Sequence, residues 1–497
     1  MSLRLKNYIG GKWVAPQRGP SLQSINPSTE QVVSSFTGSG RAEVDQAVAA
    51  AQKSCPSWRL TPAPVRADFL FKAVEIIKRR KKELAILMTQ EMGKVLTESL
   101  GDVQEAIDIG ILMAGEGRRM HGQTFMSEMP NKDIVSVRMP VGVFALITPW
   151  NFPIAIPCWK IFPALVAGNT VVFKPSQYTA ACGHELVKCC EEAGLPPGVL
   201  NLILGSGSEA GDALIAHPGI NGISFTGSTA VGRKVGEIAG RSLKKHCLEL
   251  GGKNCVIVDE DADLPLAIEG AVWSGYGTSG QRCTAGSRII VHKNVHDRFV
   301  KGFVDIVKNL KVGDGLNPKN MMGPLVNEDQ LKRVERYITT AKTQDKVTIA
   351  CGGKRMNSKK GFFFEPTVLT NVKPHHVVAQ EEIFGPVVSI IKAESFDDAI
   401  KIANGVQYGL SAAVFTKDVN KAHRAARELE TAIVYINNAS IGAEVVAPFG
   451  GIKGTGNGHR EAGGAGGAID TYTEIKVINV DYSGSIQKAQ MIEWAVK

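Results

Sequence analysis

Long apolar runs are missing from this sequence. The two longest candidates, "VGVFALI" and "AIPCWKIFPALVAG", are broken by Pro, Lys and Gly, far short of the roughly 20 residues that a membrane helix needs. The first residues, "MSLRLKNYIGGKWVAPQ", carry no apolar stretch of the secretory-leader kind. Paired cysteine motifs are missing as well. The nine cysteines are irregularly spaced, and neither CxxC nor HExxH occurs, so neither a disulfide framework nor a zinc site is expected. Internal repeats and low-complexity tracts are lacking. These absences lead to the expectation of a reduced, cytoplasmic protein with no membrane partner.

Charge is not concentrated either. The formal net charge is +9, but Lys and Arg are dispersed, and "KRRKK" at 78–82 is the one dense run. It lies in a segment whose apolar residues recur at helical spacing, so a solvated helix face is expected rather than a nucleic-acid surface. A mild positive field suits anionic small molecules equally well.

What is present is the composition of a globular enzyme: 497 residues, 44% hydrophobic, 21% charged and 53 glycines. That length implies two or three structural units. Residues 42–120 carry i, i+3, i+4 apolar spacing and predict helices. From about 135 short β-rich runs ("VGVFALI", "TVVFK", "VLNLIL", "GISFTG", "NCVIV") alternate with amphipathic helical runs. That alternation predicts βαβ units with parallel sheets. It restarts after Gly251 and runs to about 450, which gives two α/β units joined near "ELGGKN".

Several short stretches bear on chemistry. "SGYGTSGQRCTAGSR" (274–288) sets Cys283 among small residues, directly after Gln281 and Arg282. A neighbouring cation favours the thiolate, the nucleophilic form; an idle buried thiol in a Gly-rich loop reads as well. In "NGISFTGSTAVGRKVGEIAG" a strand meets a tight turn at Gly227, and Ser228 or Thr229 caps a helix, the arrangement of an anion site; a plain strand–turn–helix reads as well. It matches neither the P-loop nor G-x-G-x-x-G, since "GSGSEAG" has its last Gly one place late. "GNTVVFKPS" leaves Lys174 at the carboxyl end of a buried strand, where open α/β sheets bind ligands. An exposed strand-tip lysine is the alternative. "HCLELGGK" offers Glu249 as general base or turn cap, and "TPWNFPIAIP" offers Asn151 as preorganised donor or satisfied turn residue.

The motifs "TPWNFP", "KPS", "FTGST", "LELGGKN", "GQRC", "EEIFGP" and "APFGGIK" follow one another over roughly three hundred residues. In this order they resemble the aldehyde dehydrogenase superfamily, from "NYIGGKW" to "YTEIKVINV". The resemblance implies an α/β fold: an NAD(P)-binding unit (1–125 and 142–250), a catalytic unit (251–450), and a small β arm with the C-terminal tail (126–141 and 468–497). The arm implies homodimers or homotetramers. The resemblance also makes Cys283 the nucleophile, Glu249 the general base and Asn151 the oxyanion donor, with the nearby glycines clearing space for aldehyde and nicotinamide. Trp150, Lys174, Ser176, Gln177, Gly227, Ser228, Glu382 and Phe384 become cofactor contacts. Gln177 stands where many NAD-preferring relatives carry Glu, so NADP is expected beside NAD as cofactor.

The acylating branch generally lacks the base, and Glu249 is present, so hydrolysis to the acid is expected. A non-catalytic structural protein on the same fold would have lost one of the three catalytic residues. The likeness is greatest to enzymes oxidising 2-oxoglutarate semialdehyde (2,5-dioxopentanoate) or succinate semialdehyde. A broad-specificity or aminoadipate-semialdehyde-type enzyme is the alternative. A carboxylate-bearing substrate needs a cationic or multiply donating partner, and Arg282 and Asn437 are the candidates. One departure stands out: in "KGTGNGHREAG" His459 is an extra residue before Arg460 and Glu461, which puts the local loop shape in doubt. In the tail, Ile486, Ala489 and Ile492 recur at near-helical spacing.

Overall fold

The computed structural model describes residues 2–357 and 360–491. The predicted helical stretch is four helices, Arg41–Leu60, Ala63–Arg79, Lys81–Met92 and Leu96–Glu116. The breaks have local causes. Pro62 caps the second helix and Pro64 sits in its first turn, where the missing N–H costs nothing. Gly93, at φ 92°, ends the third, and a side chain there would strike Pro324 and Pro27 within 2.8 Å. Of the basic run, Lys78, Arg79 and Lys82 are exposed as expected. Arg80 instead pairs with Glu83 and Glu185.

The first sheet has seven strands, in the order Lys245–Glu249, Gly222–Thr226, Val143–Ile147, Thr170–Lys174, Leu200–Leu202, Asn7–Ile9, Lys12–Val14. The first five are parallel. The last two are an antiparallel hairpin that the sequence patterning did not predict, because three-residue strands leave too little alternation to read. Chain order reverses between Val143–Ile147 and Gly222–Thr226, so the crevice beyond their carboxyl ends is a switch point of the kind that binds ligands.

The second sheet also has seven strands: Thr348–Cys351, Thr367–Thr370, Val387–Ala393, Arg288–His292, Cys255–Val258, Ser411–Phe415, Ile433–Ile436. All pairings but the first are parallel. A three-stranded antiparallel arm joins Thr124–Phe125, Lys132–Pro140 and Thr473–Asp481. The α/β fold with two parallel sheets and a β arm is thus the one expected. After the second sheet the chain returns to the first: Phe449, Ala462, Ile469 and Tyr472 complete the first unit's apolar core. Residues 482–491 are not helical. Tyr482 N–H donates to Asn131 O and Gln487 to Pro130 O, while Gly484 at φ 77° turns the chain. These contacts along the arm displace the predicted helical spacing of Ile486 and Ala489; Ile492 lies outside the described residues. Among the described residues no helix is long and apolar enough to cross a membrane.

One buried ion pair ties the helical layer to the helix that follows the first sheet's strand Val143–Ile147. Lys94 Nζ lies 2.8 Å from Asp102 Oδ2, with both side chains fully buried. Asp102 Oδ1 accepts from Ala155 N–H at 2.7 Å, at the start of helix Ala155–Val166. Asp102→Ala leaves an ammonium buried without its partner and a helix end uncapped. The expected loss is roughly 3–5 kcal/mol, read as a lower midpoint in chemical denaturation; an unchanged midpoint would contradict it.

Candidate active site

The switch point brings two loops together. After strand Val143–Ile147 the chain enters Pro149, Trp150 and Asn151; after Gly222–Thr226 it enters Gly227 and Ser228. The Ser228 hydroxyl accepts from Val231 N–H at 3.4 Å and caps the next helix. Gly227 is needed because a side chain there would lie 2.6 Å from the Phe225 ring. These residues line a cleft of about 660 Å³ shared with Cys283, Glu382 and Phe384. Trp150 meets Phe384 edge-on at 5.4 Å. Phe384 is held at φ 60°, with Gln330 donating to its carbonyl at 2.7 Å. Glu382 accepts from Gly252 N–H at 2.9 Å, and Arg333 donates to Glu382 O at 2.6 Å. Gln330 and Arg333 escaped the sequence reading, because polar residues on an amphipathic helix look like a solvated face.

Lys174 is only 4% exposed, which removes the strand-tip alternative. Its Nζ donates to Pro175 O at 3.1 Å, and burial pulls its pKa down to about 8. A buried amine with one carbonyl partner has donors to spare for a hydroxyl-rich ligand. Ser176 accepts from Tyr178 N–H and opens the turn Gln177–Thr179, where Gln177 is half-buried. None of these three lines the cleft that holds Cys283; they mark the carboxyl end of the neighbouring strand.

Cys283 also faces a second cavity, of about 700 Å³, lined by Glu105, Phe152, Trp159, Glu249 and Arg282 among others. Asn151 is buried, and its Nδ2 donates to Gln281 O at 3.0 Å. Gly252 allows the close approach of the Cys283 loop: a side chain there would lie 2.4 Å from Cys283 O. The glycines around Cys283 do something other than expected. Side chains at Gly275, Gly280 and Gly286 would collide with Val388, Gly385 O and Ser274. Their missing side chains make room for the protein's own packing, not for ligand.

Charge around the sulfur also differs from expectation. Burial, then the carboxylates of Glu249, Glu382 and Glu461, push the Cys283 thiol well above its ordinary range. Arg282 is turned elsewhere. Its Nε donates to Thr278 Oγ1 at 2.8 Å, its Nη2 lies 3.5 Å from Glu98, and its guanidinium sits 5.1 Å from both the Phe152 and Trp273 rings. It still borders the second cavity. Asn437 does not: it is exposed at φ 53°, and its amide bonds both backbone groups of Thr416.

Glu249 is 3% exposed and accepts from Gly451 N–H at 3.0 Å. Burial, then Glu461, raise its pKa well above the usual carboxylate range. Glu461 is held by Thr226 Oγ1 at 2.9 Å and by an ion pair with Lys160, which also donates to Ser224 at 2.7 Å. The extra His459 is absorbed without losing this contact, because Glu461 N–H still reaches Phe449 O at 2.8 Å. Lys160 was missed, although a lone lysine in the wholly buried helix Ala155–Val166 is a readable signal. Glu105 was missed for want of any local motif. Burial and Asp102 push its carboxyl up to about 8.

Residues 13–478 match the aldehyde dehydrogenase family. The chain is 40% identical over 478 residues to alpha-ketoglutaric semialdehyde dehydrogenase of Bacillus subtilis, covering 95% of this chain and 97% of that protein. It is 39% identical to 2,5-dioxopentanoate dehydrogenase of Saccharolobus solfataricus, over 91% and 95% of the two chains. It superposes with a TM-score of 0.94 on betaine aldehyde dehydrogenase of Staphylococcus aureus solved with NAD+, at 36% identity and 99% and 97% coverage.

The raised thiol pKa has a sign that can be tested. Below its pKa Cys283 is protonated and poorly nucleophilic. Alkylation of Cys283 by iodoacetamide in the ligand-free protein is expected to be slower at pH 7.5 than for an unperturbed thiol, and to climb still between pH 9 and 10. Peptide mass mapping checks it, and a rate already level by pH 9 would contradict it.

Proposed function

Because the chain belongs to the aldehyde dehydrogenase family, we propose that Cys283 is the nucleophile of its NAD(P)-dependent aldehyde oxidation, Glu249 the general base and Asn151 an oxyanion donor. The observation that carries this reading is one cysteine, Cys283, lining both cavities, with Asn151 on the cleft side and Glu249 on the other. The cleft residues fit a dinucleotide. In the cleft, Gly227 and Ser228 offer a helix start to phosphate, with Glu382 and Phe384 on the same lining; outside it, at the carboxyl end of the neighbouring strand, Lys174 and Ser176 offer donors to a ribose. When bound, NAD(P)+ supplies a hydride acceptor. Residues 1–125 and 142–250 form the cofactor-binding unit in this reading, and 251–450 the catalytic unit.

The protein's own groups do the rest. The Cys283 thiol gives its proton to solvent, and Sγ attacks the aldehyde carbon. The oxyanion so formed accepts from the second Asn151 Nδ2–H and from the Cys283 N–H; one such donor typically accounts for about 10²–10³ in rate. Loss of hydride leaves a thioester on Cys283. Glu249 then takes a proton from water, whose oxygen displaces sulfur and releases the acid. Burial and Glu461 behind it keep the Glu249 pKa high enough for it to act as a base, against the opposite pull of Lys160.

The substrate in this reading is a short semialdehyde with a distal carboxylate, such as 2,5-dioxopentanoate or succinate semialdehyde. Arg282 supports it, since its Nη1 has no hydrogen-bond partner among the described residues. Glu105, neutral below about pH 8, adds a donor. Gln177 puts no negative charge against a 2′-phosphate; like charges near contact cost about 1–4 kcal/mol at surface-like dielectric. NADP+ is therefore accepted alongside NAD+. The arm strand Thr473–Asp481 is an edge strand with Ile475, Val477 and Val480 more than half exposed. Such an edge invites pairing with a second copy, which supports a homo-oligomer.

Glu249→Gln is expected to keep a burst of NAD(P)H and lose steady turnover by about 10²-fold or more. In the parent, kcat rises with pH as Glu249 ionises, and the variant loses that limb. A variant with parental steady-state rate would refute the base.

For the substrate, kcat/KM for succinate semialdehyde and 2,5-dioxopentanoate is compared with butanal and pentanal, using both cofactors. The acids are expected to win at pH 7 and to lose ground above pH 8, as Glu105 ionises and repels them. Arg282→Leu is expected to erase most of the preference. Equal rates for neutral aldehydes in the parent would overturn the carboxylate reading.

A further inference from the structure

The chain enters the nucleophile through three consecutive residues in the left-handed region: Thr278 (φ 54°), Ser279 (φ 57°) and Gly280 (φ 70°). For Thr and Ser this conformation persists only where surroundings impose it. Gly280 has no alternative, since a side chain would lie 2.2 Å from Gly385 O. The group that holds Thr278 comes from the other unit. Glu98, in the first turn of helix Leu96–Glu116, accepts from Thr278 N–H through Oε1 at 2.8 Å. The same oxygen lies 3.5 Å from Arg282 Nη2, and Arg282 Nε closes the loop on Thr278 Oγ1 at 2.8 Å. The Glu98 side chain is only 6% exposed and borders neither cavity.

The consequences run to both reacting partners. Gln281 follows the turn, and its carbonyl holds Asn151 Nδ2 at 3.0 Å. Arg282 and Cys283 follow directly. We propose that Glu98 is a positioning residue: by holding the Thr278–Gly280 turn and Arg282, it sets where the Cys283 sulfur and the Asn151 amide stand relative to each other. This rests on reading Cys283 as the nucleophile. The turn has other supports from its own unit, Ser279 Oγ to Gly323 O at 2.8 Å and Val326 N–H to Gln281 Oε1 at 3.0 Å. Removing Glu98 therefore displaces the loop without melting it.

The test is the pre-steady-state burst of NADH. Glu98→Ala is expected to slow the burst by about 10²-fold, the usual effect of a 1 Å misplacement at a reacting centre, with KM for NAD+ unchanged. Glu98→Gln keeps the acceptor for Thr278 N–H and is expected to restore the burst to within about threefold of the parent. A parental burst in Glu98→Ala overturns the proposal, as does a Gln variant that falls as far as the Ala variant. Should Glu98→Ala not fold, Glu98→Asp takes its place: withdrawing the carboxylate by one methylene should slow the burst by about tenfold, and a parental rate overturns the proposal. Cys283→Ala separates the two readings, since NADH production by that variant would sink the nucleophile itself whatever Glu98 does.

Discussion

In the proposed reading, one sulfur has to be reached from two sides. Cys283 borders a cleft built from the first sheet's switch point and a cavity floored by the helices packed beneath it. A thiol so placed cannot sit on a sheet or helix of either unit. It has to ride on a loop at the seam, and that loop must be held from outside. Most of the unusual features follow: the left-handed turn, the glycine at 252 that lets Cys283 O approach, and the carboxylate from the other unit.

The same demand shapes the charges. Around Cys283 the structure places carboxylates rather than cations, so the resting group is a thiol. Glu249, the base in the proposed reading, is kept weakly acidic by burial and by a second carboxylate, Glu461, which is itself paired with Lys160. The helix Leu96–Glu116 contributes at three points along one face. Glu98 holds the loop, Asp102 caps the helix after Asn151, and Glu105 enters the second cavity. Spacing of four and three residues puts them on one side.

The fold was largely legible, because strands buried on both faces read as short continuous apolar runs that alternate with amphipathic helices. Cys283, Glu249 and Asn151 were legible only through the order of motifs, since each motif alone had a bland reading. The long-range partners were not. Glu98, Lys160 and Glu461 lie far from Cys283 in sequence, and nothing local shows which polar residue a fold will bury beside another. Arg282 illustrates the limit. Its neighbourhood in sequence suggested a cation for the thiolate, but successive side chains point different ways, and it pairs with Glu98. Asn437 failed similarly: a left-handed turn consumed its amide.

The return of residues 449–472 to the first unit has a consequence for the order of events during synthesis. The first sheet's last strand ends at Glu249, yet four residues of that unit's core, from Phe449 to Tyr472, emerge some two hundred residues later. Until then Lys160 lies in an apolar helix without Glu461, its counter-ion. The first half of the chain can collapse on the ribosome but cannot close, and it must wait, with a hydrophobic gap and a lone buried ammonium, for the second half to be made. Such a long-range closure is slow to form and leaves the waiting intermediate exposed to aggregation. The first unit, complete in its sheet, is the last to become stable.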